Sequence, residues 1–213
     1  MPRSNRIGSA AGFLPDFKSE MKVKAKFDDV TAVILAGGRS SRMGRDKALL
    51  EVAGVPLIAR ILRVMRDSFT TFLISGDRPD LAEPAIPYYA DRFPGSALGG
   101  IYTGLIEAET PYIFVSACDM PYPDPHLIRE IVGRREGNDA VVPRTGQYRE
   151  PLFALYSKSC MVPIQNMLEN NNYRIQNLYE IVKVMYLDFE EMFFDWKKAL
   201  MNVNTPREYA SIT

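Results

Sequence analysis

Histidine and cysteine are scarce: the 213 residues include one His, His126, and two Cys, Cys118 and Cys160. A structural zinc site draws four ligands mainly from these types, so zinc chemistry is not expected. His126 falls in PDPHLIREI, a helix start, where a surface or capping role is expected. Both cysteines sit in apolar runs, which predicts buried thiols rather than a disulfide framework. An excess of one charge is also missing: Lys+Arg and Asp+Glu both number 26. That balance excludes a dedicated nucleic-acid binder but leaves room for a local basic pocket. No apolar run approaches the roughly 18 residues that cross a bilayer, so no membrane association is expected. Residues 1–26 lack the continuous apolar stretch of a signal peptide. They are expected to be a disordered extension, or to precede a true start at Met21. Residues 27–213 are expected to form one cytoplasmic domain.

What is present is ordinary core material, 46% hydrophobic and 24% charged residues. Val30–Ala36 is a short β-branched run ending in glycines, as a central strand buried on both faces reads. Pro56–Phe69 has helical periodicity, with Leu57, Ile61, Leu62, Val64 and Met65 on one face and Pro56 in the first turn. Strands are predicted at Thr71–Ser75, Pro87–Tyr89, Tyr112–Ala117, Ala140–Val142, Leu152–Tyr156, Lys183–Asp188 and Ala199–Val203. Helices are predicted at Leu98–Ala108, Asp124–Arg134 and Cys160–Glu169, with a last one opening at Thr205-Pro206-Arg207-Glu208. Such alternation implies an α/β fold: an open, mostly parallel sheet with helices on both faces, three layers deep. Phe193, Phe194 and Trp196 are expected to pack against the sheet. In such folds ligands bind beyond the carboxyl ends of the strands.

The polar stretches of this chain fall at those ends. LAGGRSSRMGRDK runs from Leu35 to Lys47. It has neither the Walker spacing nor the dinucleotide fingerprint. Gly37 and Gly38 let backbone approach a ligand and expose N–H groups. Arg39, Arg42, Arg45 and Lys47 offer cations suited to a triphosphate. VSACDMP puts Asp119 at the end of an apolar strand, where a carboxylate is costly unless exposed in a cleft, paired or metal-bound. Mg²⁺ suits one such carboxylate plus phosphate oxygens. In YADRFPGSALGGIYTGL, Asp91 follows a short strand, and Gly95, Gly99 and Gly100 open a helix whose N-terminus favours an anion or a polar base edge. In MNVNTPRE, Asn202 and Asn204 would share one face of a strand, or serve turn chemistry before the Thr205 cap.

Taken in order, these stretches resemble the molybdenum cofactor guanylyltransferase (MobA) family, a branch of the Rossmann-like nucleotidyltransferases. LAGGRSSRMGRDKALLEVAGVPLIARIL carries the resemblance from Leu35 to Leu62; CDMP and NVNTPRE match in place, and the likeness extends from about Val30 to Tyr209. It implies transfer of GMP from GTP to the phosphate of molybdopterin cofactor, with Mg²⁺ and release of pyrophosphate. By position, Leu35, Ala36, Gly37, Gly38, Ser75, Asp91 and Gly99 would meet the nucleotide. Lys47 and Arg42 would neutralise phosphate charge, and Asp119 would bind Mg²⁺. Asn202 and Asn204 would lie near the acceptor or the metal. Transient contact with other cofactor-biosynthesis proteins or molybdoenzymes is implied too. The chain departs from the family in three places. Ser75 replaces an asparagine, Ala97 a proline, and Glu150-Pro151 a Gln-Pro or His-Pro. Another NTP such as CTP, a sugar-phosphate acceptor, and a non-catalytic nucleotide-binding module therefore stay open.

Overall fold

A computed structural model of the chain describes residues 25–37, 46–81, 86–188 and 196–212. The first strand, β1 (Phe27–Leu35), is central, and its residues alternate between two cores. Val30, Ala32 and Ile34 face one side; Val33 and Leu35 face the other. A short hairpin, β2 (Glu51–Val52) and β3 (Val55–Pro56), leads into helix α1 (Leu57–Ser68). Pro56 is the N-cap of α1, one position before the first helical residue expected for it. The helix passes directly into β4 (Phe69–Ser75) with no loop between. Phe69 is already extended and fully buried, so this strand starts two residues before the periodicity suggests.

The chain continues with β5 (Tyr88–Tyr89), α2 (Ala97–Glu107), β6 (Tyr112–Ala117), α3 (Pro125–Val132), β7 (Ala140–Thr145), β8 (Tyr148–Arg149), β9 (Phe153–Ser157), α4 (Met161–Glu169), α5 (Ile175–Leu178) and β10 (Val184–Asp188), of which the short β8 and α5 were not expected from the sequence. Asp124 caps α3 by accepting from the N–H groups of His126 and Leu127, with Pro125 at the first position. His126 itself is exposed; Cys160 is buried and Cys118 lies partly exposed on a cleft wall, both as free thiols. The main sheet runs β10-β7-β9-β6-β1-β4-β5, with β8 paired to the end of β7. Pairings β6–β1, β1–β4, β4–β5 and β10–β7 are parallel; only β9 runs against its neighbours β6 and β7, apart from the short β7–β8 hairpin.

Helices cover both faces. On one, α1 and α3 bury Ile61, Met65, Leu127 and Ile131 against Ile34, Phe69, Phe114 and Phe153. On the other, α2, α4 and α5 bury Leu98, Ile101, Ile164 and Leu178 against Val33, Val115 and Tyr156. Trp196 packs against the first of these cores; Phe193 and Phe194 lie outside the described residues.

One predicted strand is wrong. Ala199–Val203 does not form a strand: helix α6 (Trp196–Ala199) occupies its start, and residues 200–204 are irregular. Leu200 N–H donates to the Trp196 carbonyl and Met201 N–H to that of Lys198, closing a helical turn. After that a single ladder-like bond remains, Val203 N–H to the Asp119 carbonyl at 3.0 Å. The apolar run reads as a strand because Val203 is fully buried, but it packs in a satellite core with Leu50, Val52 and Leu57 instead of in the sheet. The final helix, α7 (Pro206–Ala210), has the predicted cap, with Thr205 and Glu208 forming a reciprocal capping box.

Candidate active site

The carboxyl ends of β1, β4 and β6 lie side by side, because their registers pair Leu35 with both Ser75 and Ala117. The chain leaving these ends encloses one cleft, lined by Leu35, Ala36, Gly37, Lys47, Ser75, Arg78, Asp91, Gly100, Cys118 and Asp119 among others. Of the residues singled out in the sequence, the structure thus gathers Leu35, Ala36, Gly37, Lys47, Ser75, Asp91 and Asp119 around one space. Gly38 and Arg42 lie outside the described residues, as do Arg39 and Arg45.

One end of the cleft is built by close backbone approach. Gly76 follows β4 with φ +132°, a conformation favouring glycine, and a Cβ there would sit 2.4 Å from the Gly37 nitrogen. The Ala36 N–H donates to the Ser75 carbonyl and the Gly76 N–H to that of Tyr89, which locks the three strand ends together. Asp91 lies against Gly37: a Cβ on Gly37 would come within 2.7 Å of Asp91 Oδ2. Ser75, 1% exposed, donates from Oγ to Asp91 Oδ1 at 2.7 Å and to the Gly100 carbonyl at 3.0 Å. Its one proton is shared between these acceptors. Burial raises the Asp91 pKa, and the Ser75 hydrogen bond opposes that shift. The sequence places Gly99 at the ligand, but the structure turns it away. Its N–H donates to the N-cap hydroxyl of Ser96, and a Cβ there would overlap the Phe93 carbonyl oxygen. Gly100, one residue on, is the glycine of α2 that lines the cleft.

The other end is built from long side chains. Lys47 Nζ donates to Asp119 Oδ2 at 3.0 Å and to Asn204 Oδ1 at 2.7 Å. Both members of the Lys47–Asp119 pair are mostly shielded, with side chains 19% and 16% exposed. Asp46 Oδ1 accepts from the Ala48 N–H and so starts the tight turn that carries Lys47. Arg78 holds Asp46 in turn, at 2.7 Å, and Asp80 at 2.6 Å. The hydrogen bonds to Asp80, then to Asp46, raise the Arg78 pKa against the opposing effect of burial. Arg78 was not singled out in the sequence; its role depends on which strand ends meet.

Asn202 and Asn204 reach this end from an irregular segment, not from a strand. Glu208 Oε2 accepts from the Asn204 N–H at 2.7 Å, so the cap of α7 fixes the asparagine that meets Lys47. Asn202 Nδ2 faces Glu150 Oε2 at 3.5 Å. Burial, with a smaller contribution from the Asp119 charge, pushes the Glu150 carboxyl up to about 7. Among the described residues no group of three or more His, Cys, Asp or Glu could cage a metal. The oxygen donors Asp119 and Asn204 instead suit a hard cation that takes its remaining ligands from phosphates and water.

A family model described as a MobA-like NTP transferase domain matches residues 32–183. A protein of Pelotomaculum thermopropionicum named "probable molybdenum cofactor guanylyltransferase" is 40% identical over 185 residues, 84% of this chain and 89% of that one. The molybdenum cofactor guanylyltransferase of Vibrio campbellii is 34% identical over 184 residues, 84% of this chain and 92% of that one. Molybdopterin-guanine dinucleotide biosynthesis protein A of Archaeoglobus fulgidus, a solved structure, superposes with a TM-score of 0.74 at 23% identity, covering 85% of this chain and 96% of that one. At that identity the superposition speaks for the fold alone.

Proposed function

The chain belongs to the MobA-like NTP transferase family, and on that premise we propose that it transfers GMP from GTP to the terminal phosphate of molybdopterin cofactor, forming the guanine dinucleotide cofactor. One observation carries this reading: a single cleft holds Asp91 at one end and the Lys47–Asp119 pair at the other. The first is suited to a base, the second to a polyphosphate. Asp91, oriented by Ser75, is an acceptor for the adjacent N–H donors on the edge of guanine, in its ionised form. The backbone of Leu35, Ala36 and Gly37 passes beneath the nucleotide.

In the reaction, an oxygen of the acceptor phosphate attacks the α-phosphorus of GTP in line. The bond from that phosphorus to the β-bridging oxygen breaks, and pyrophosphate leaves with the electron pair. The acceptor phosphate is ionised at neutral pH, so no general base is required. Positioning and charge neutralisation supply the rate. Lys47 neutralises charge that builds on the α-phosphate and the leaving group, with Arg42 of the basic loop assisting. Asn204 holds the Lys47 ammonium in place, and Asn202, which faces Glu150, is assigned to the acceptor. Mg²⁺ would be held by Asp119 and, when bound, would act as a Lewis acid on the phosphate oxygens. Among the described residues no helix is long and apolar enough to cross a membrane. A cytoplasmic setting suits an enzyme fed by free GTP.

The test is pyrophosphate release with Mg²⁺, molybdopterin as acceptor and each of the four NTPs in turn. Release with GTP alone is expected. Release with CTP alone would keep the chemistry and overturn the base assignment. Nucleotide binding without release for any NTP would overturn the acceptor assignment first, leaving a sugar phosphate or a pure binding role.

A further inference from the structure

Lys47, Asp119 and Asn204 meet at the charged end of the cleft, and the segments that carry them meet again behind it. Leu50 and Val52 follow Lys47, Tyr122 follows Asp119, and Val203 precedes Asn204. All four pack in the satellite core with Leu57, the first residue of α1. Apolar contacts are non-directional, so they gather these segments without fixing their spacing. Directional bonds fix it. The Val203 N–H donates to the Asp119 carbonyl at 3.0 Å, which ties the Asn204 segment to the Asp119 turn. The Leu50 N–H donates to the Lys47 carbonyl at 3.2 Å, which ties Lys47 to the start of the β2–β3 hairpin.

Arg60 of α1 bonds to both of these parts. Its Nε donates to the Pro121 carbonyl at 2.7 Å and its Nη1 to the Val52 carbonyl at 3.3 Å. Pro121 belongs to the Asp119 turn and Val52 to β2, the strand that follows Lys47. Arg60 Cζ also stands 5.5 Å from the centre of the Tyr122 ring, and Lys198 Nζ stands 4.6 Å from the same centre. Pro121 and Val52 are both buried, where water does not readily replace a lost donor. A guanidinium carries its donors in a rigid plane, so it holds two acceptors at a set separation; an ammonium on a flexible stem does not. Arg60 does this from outside the substrate cleft. It lines a separate cleft of about 480 Å³ with Arg63, Tyr122 and Lys198, and it is not among the residues lining the first.

We infer that Arg60 is a positioning residue for the transfer: its guanidinium braces the Asp119 turn against the strand that follows Lys47, and so sets the Lys47–Asp119 pair at 3.0 Å. The inference rests on the proposed transfer for what that pair does, whereas the brace itself is a matter of geometry. In-line attack depends on position, and a misplacement of about 1 Å costs on the order of 100-fold in rate.

Arg60→Met keeps the apolar stem and removes the planar fork. With GTP, Mg²⁺ and molybdopterin, its kcat is expected to fall roughly 10- to 100-fold. The KM for GTP should stay within about twofold, because the Asp91 end is untouched. Calorimetric titration with GTP should still count one site per chain, which separates a misplaced pair from a loss of folded protein. In a crystal structure of the variant, Lys47 Nζ and Asp119 Oδ2 should lie beyond about 4 Å, the outer limit of an ion pair. Added guanidinium should restore part of the kcat of Arg60→Ala, and methylammonium should not. If Arg60→Met does not fold, Arg60→Lys carries the same test, since its ammonium does not hold both carbonyls in one plane. If the wild type transfers GMP and the variant keeps kcat within about twofold, the positioning role is wrong and the transfer stands. A fall in kcat that matches a fall in GTP-binding sites, with the pair unmoved, would likewise reduce Arg60 to a fold-stabilising residue. If the wild type transfers nothing but the pair separates in the variant, the transfer is wrong and the brace stands. No transfer and an unmoved pair would overturn both.

Discussion

The two ends of the cleft beyond β1, β4 and β6 are made in different ways. At the Asp91 end, backbone does most of the work: Gly76 touches Gly37, and Asp91 lies on the Gly37 α-carbon with Ser75 beneath it. At the Lys47 end, side chains from three distant parts of the chain converge, Lys47, Asp119 and Asn204. A backbone-built end tolerates few substitutions because nothing can move aside. A side-chain-built end tolerates substitution structurally, and its chemistry depends on charge in one place. Binding geometry is therefore tied to fold stability at one end, whereas chemistry at the other can be removed without unfolding.

The sharpest way to break that contrast is at the charged end. Lys47→Ala and Asp119→Asn are each expected to lower kcat by roughly 100- to 1000-fold, the usual cost of losing one group that stabilises transition-state charge. Both should keep a cooperative thermal transition, since each partner retains another contact or solvent access. Pyrophosphate-release kinetics together with a circular-dichroism melt checks this; near-wild-type turnover in either variant would remove that residue from the mechanism. Gly76→Ala should reverse the pattern. A side chain there combines a positive φ with a 2.4 Å approach to the Gly37 nitrogen. A loss on the order of 3 kcal/mol in urea denaturation is expected. A loss under about 1 kcal/mol would mean the strand ends can separate.

Asp91→Asn falls between these extremes, because it keeps the shape of the backbone-built end and changes its polarity. It should raise the KM for GTP by roughly 10- to 100-fold, the range for a lost charge-assisted hydrogen bond, with kcat much less affected. An equal fall in kcat and kcat/KM would move Asp91 from base recognition into the chemical step.

Legibility in the sequence divides along similar lines. Strand and helix order was readable from periodicity, because each central strand is buried on both faces and each helix on one. Lys47, Asp119 and Asp91 could be singled out only together, through the order of their motifs and the family resemblance, since Asp91 or Asp119 taken alone also reads as a turn or cap residue. Gly76 and Arg78 were not singled out. Each acquires its role from a neighbour far along the chain. Gly99 was harder to place for a related reason: next to Gly100, only the packing of Phe93 decides which glycine lines the cleft. The run from Ala199 to Val203 misled because apolar residues of a satellite core look like residues of the sheet.

Glu150, next after β8, gives the smallest effect. Its carboxyl is pushed up to about 7 from an ordinary 4.5, mainly by burial. The folded protein thus binds this proton more tightly than the unfolded chain. The resulting contribution to stability is complete below pH 4.5 and is lost as pH rises to about 7. The carboxyl is only partly buried, so solvent screening reduces the loss to about 1–2 kcal/mol. Glu150→Gln removes the titration and keeps the shape. In metal-free buffer, the difference in stability between wild type and Glu150→Gln should change by that amount between pH 4.5 and 7.5, with the glutamine variant relatively favoured at the higher pH. Parallel pH profiles for the two proteins would show that Glu150 titrates normally, and that the turn after β8 is open to water.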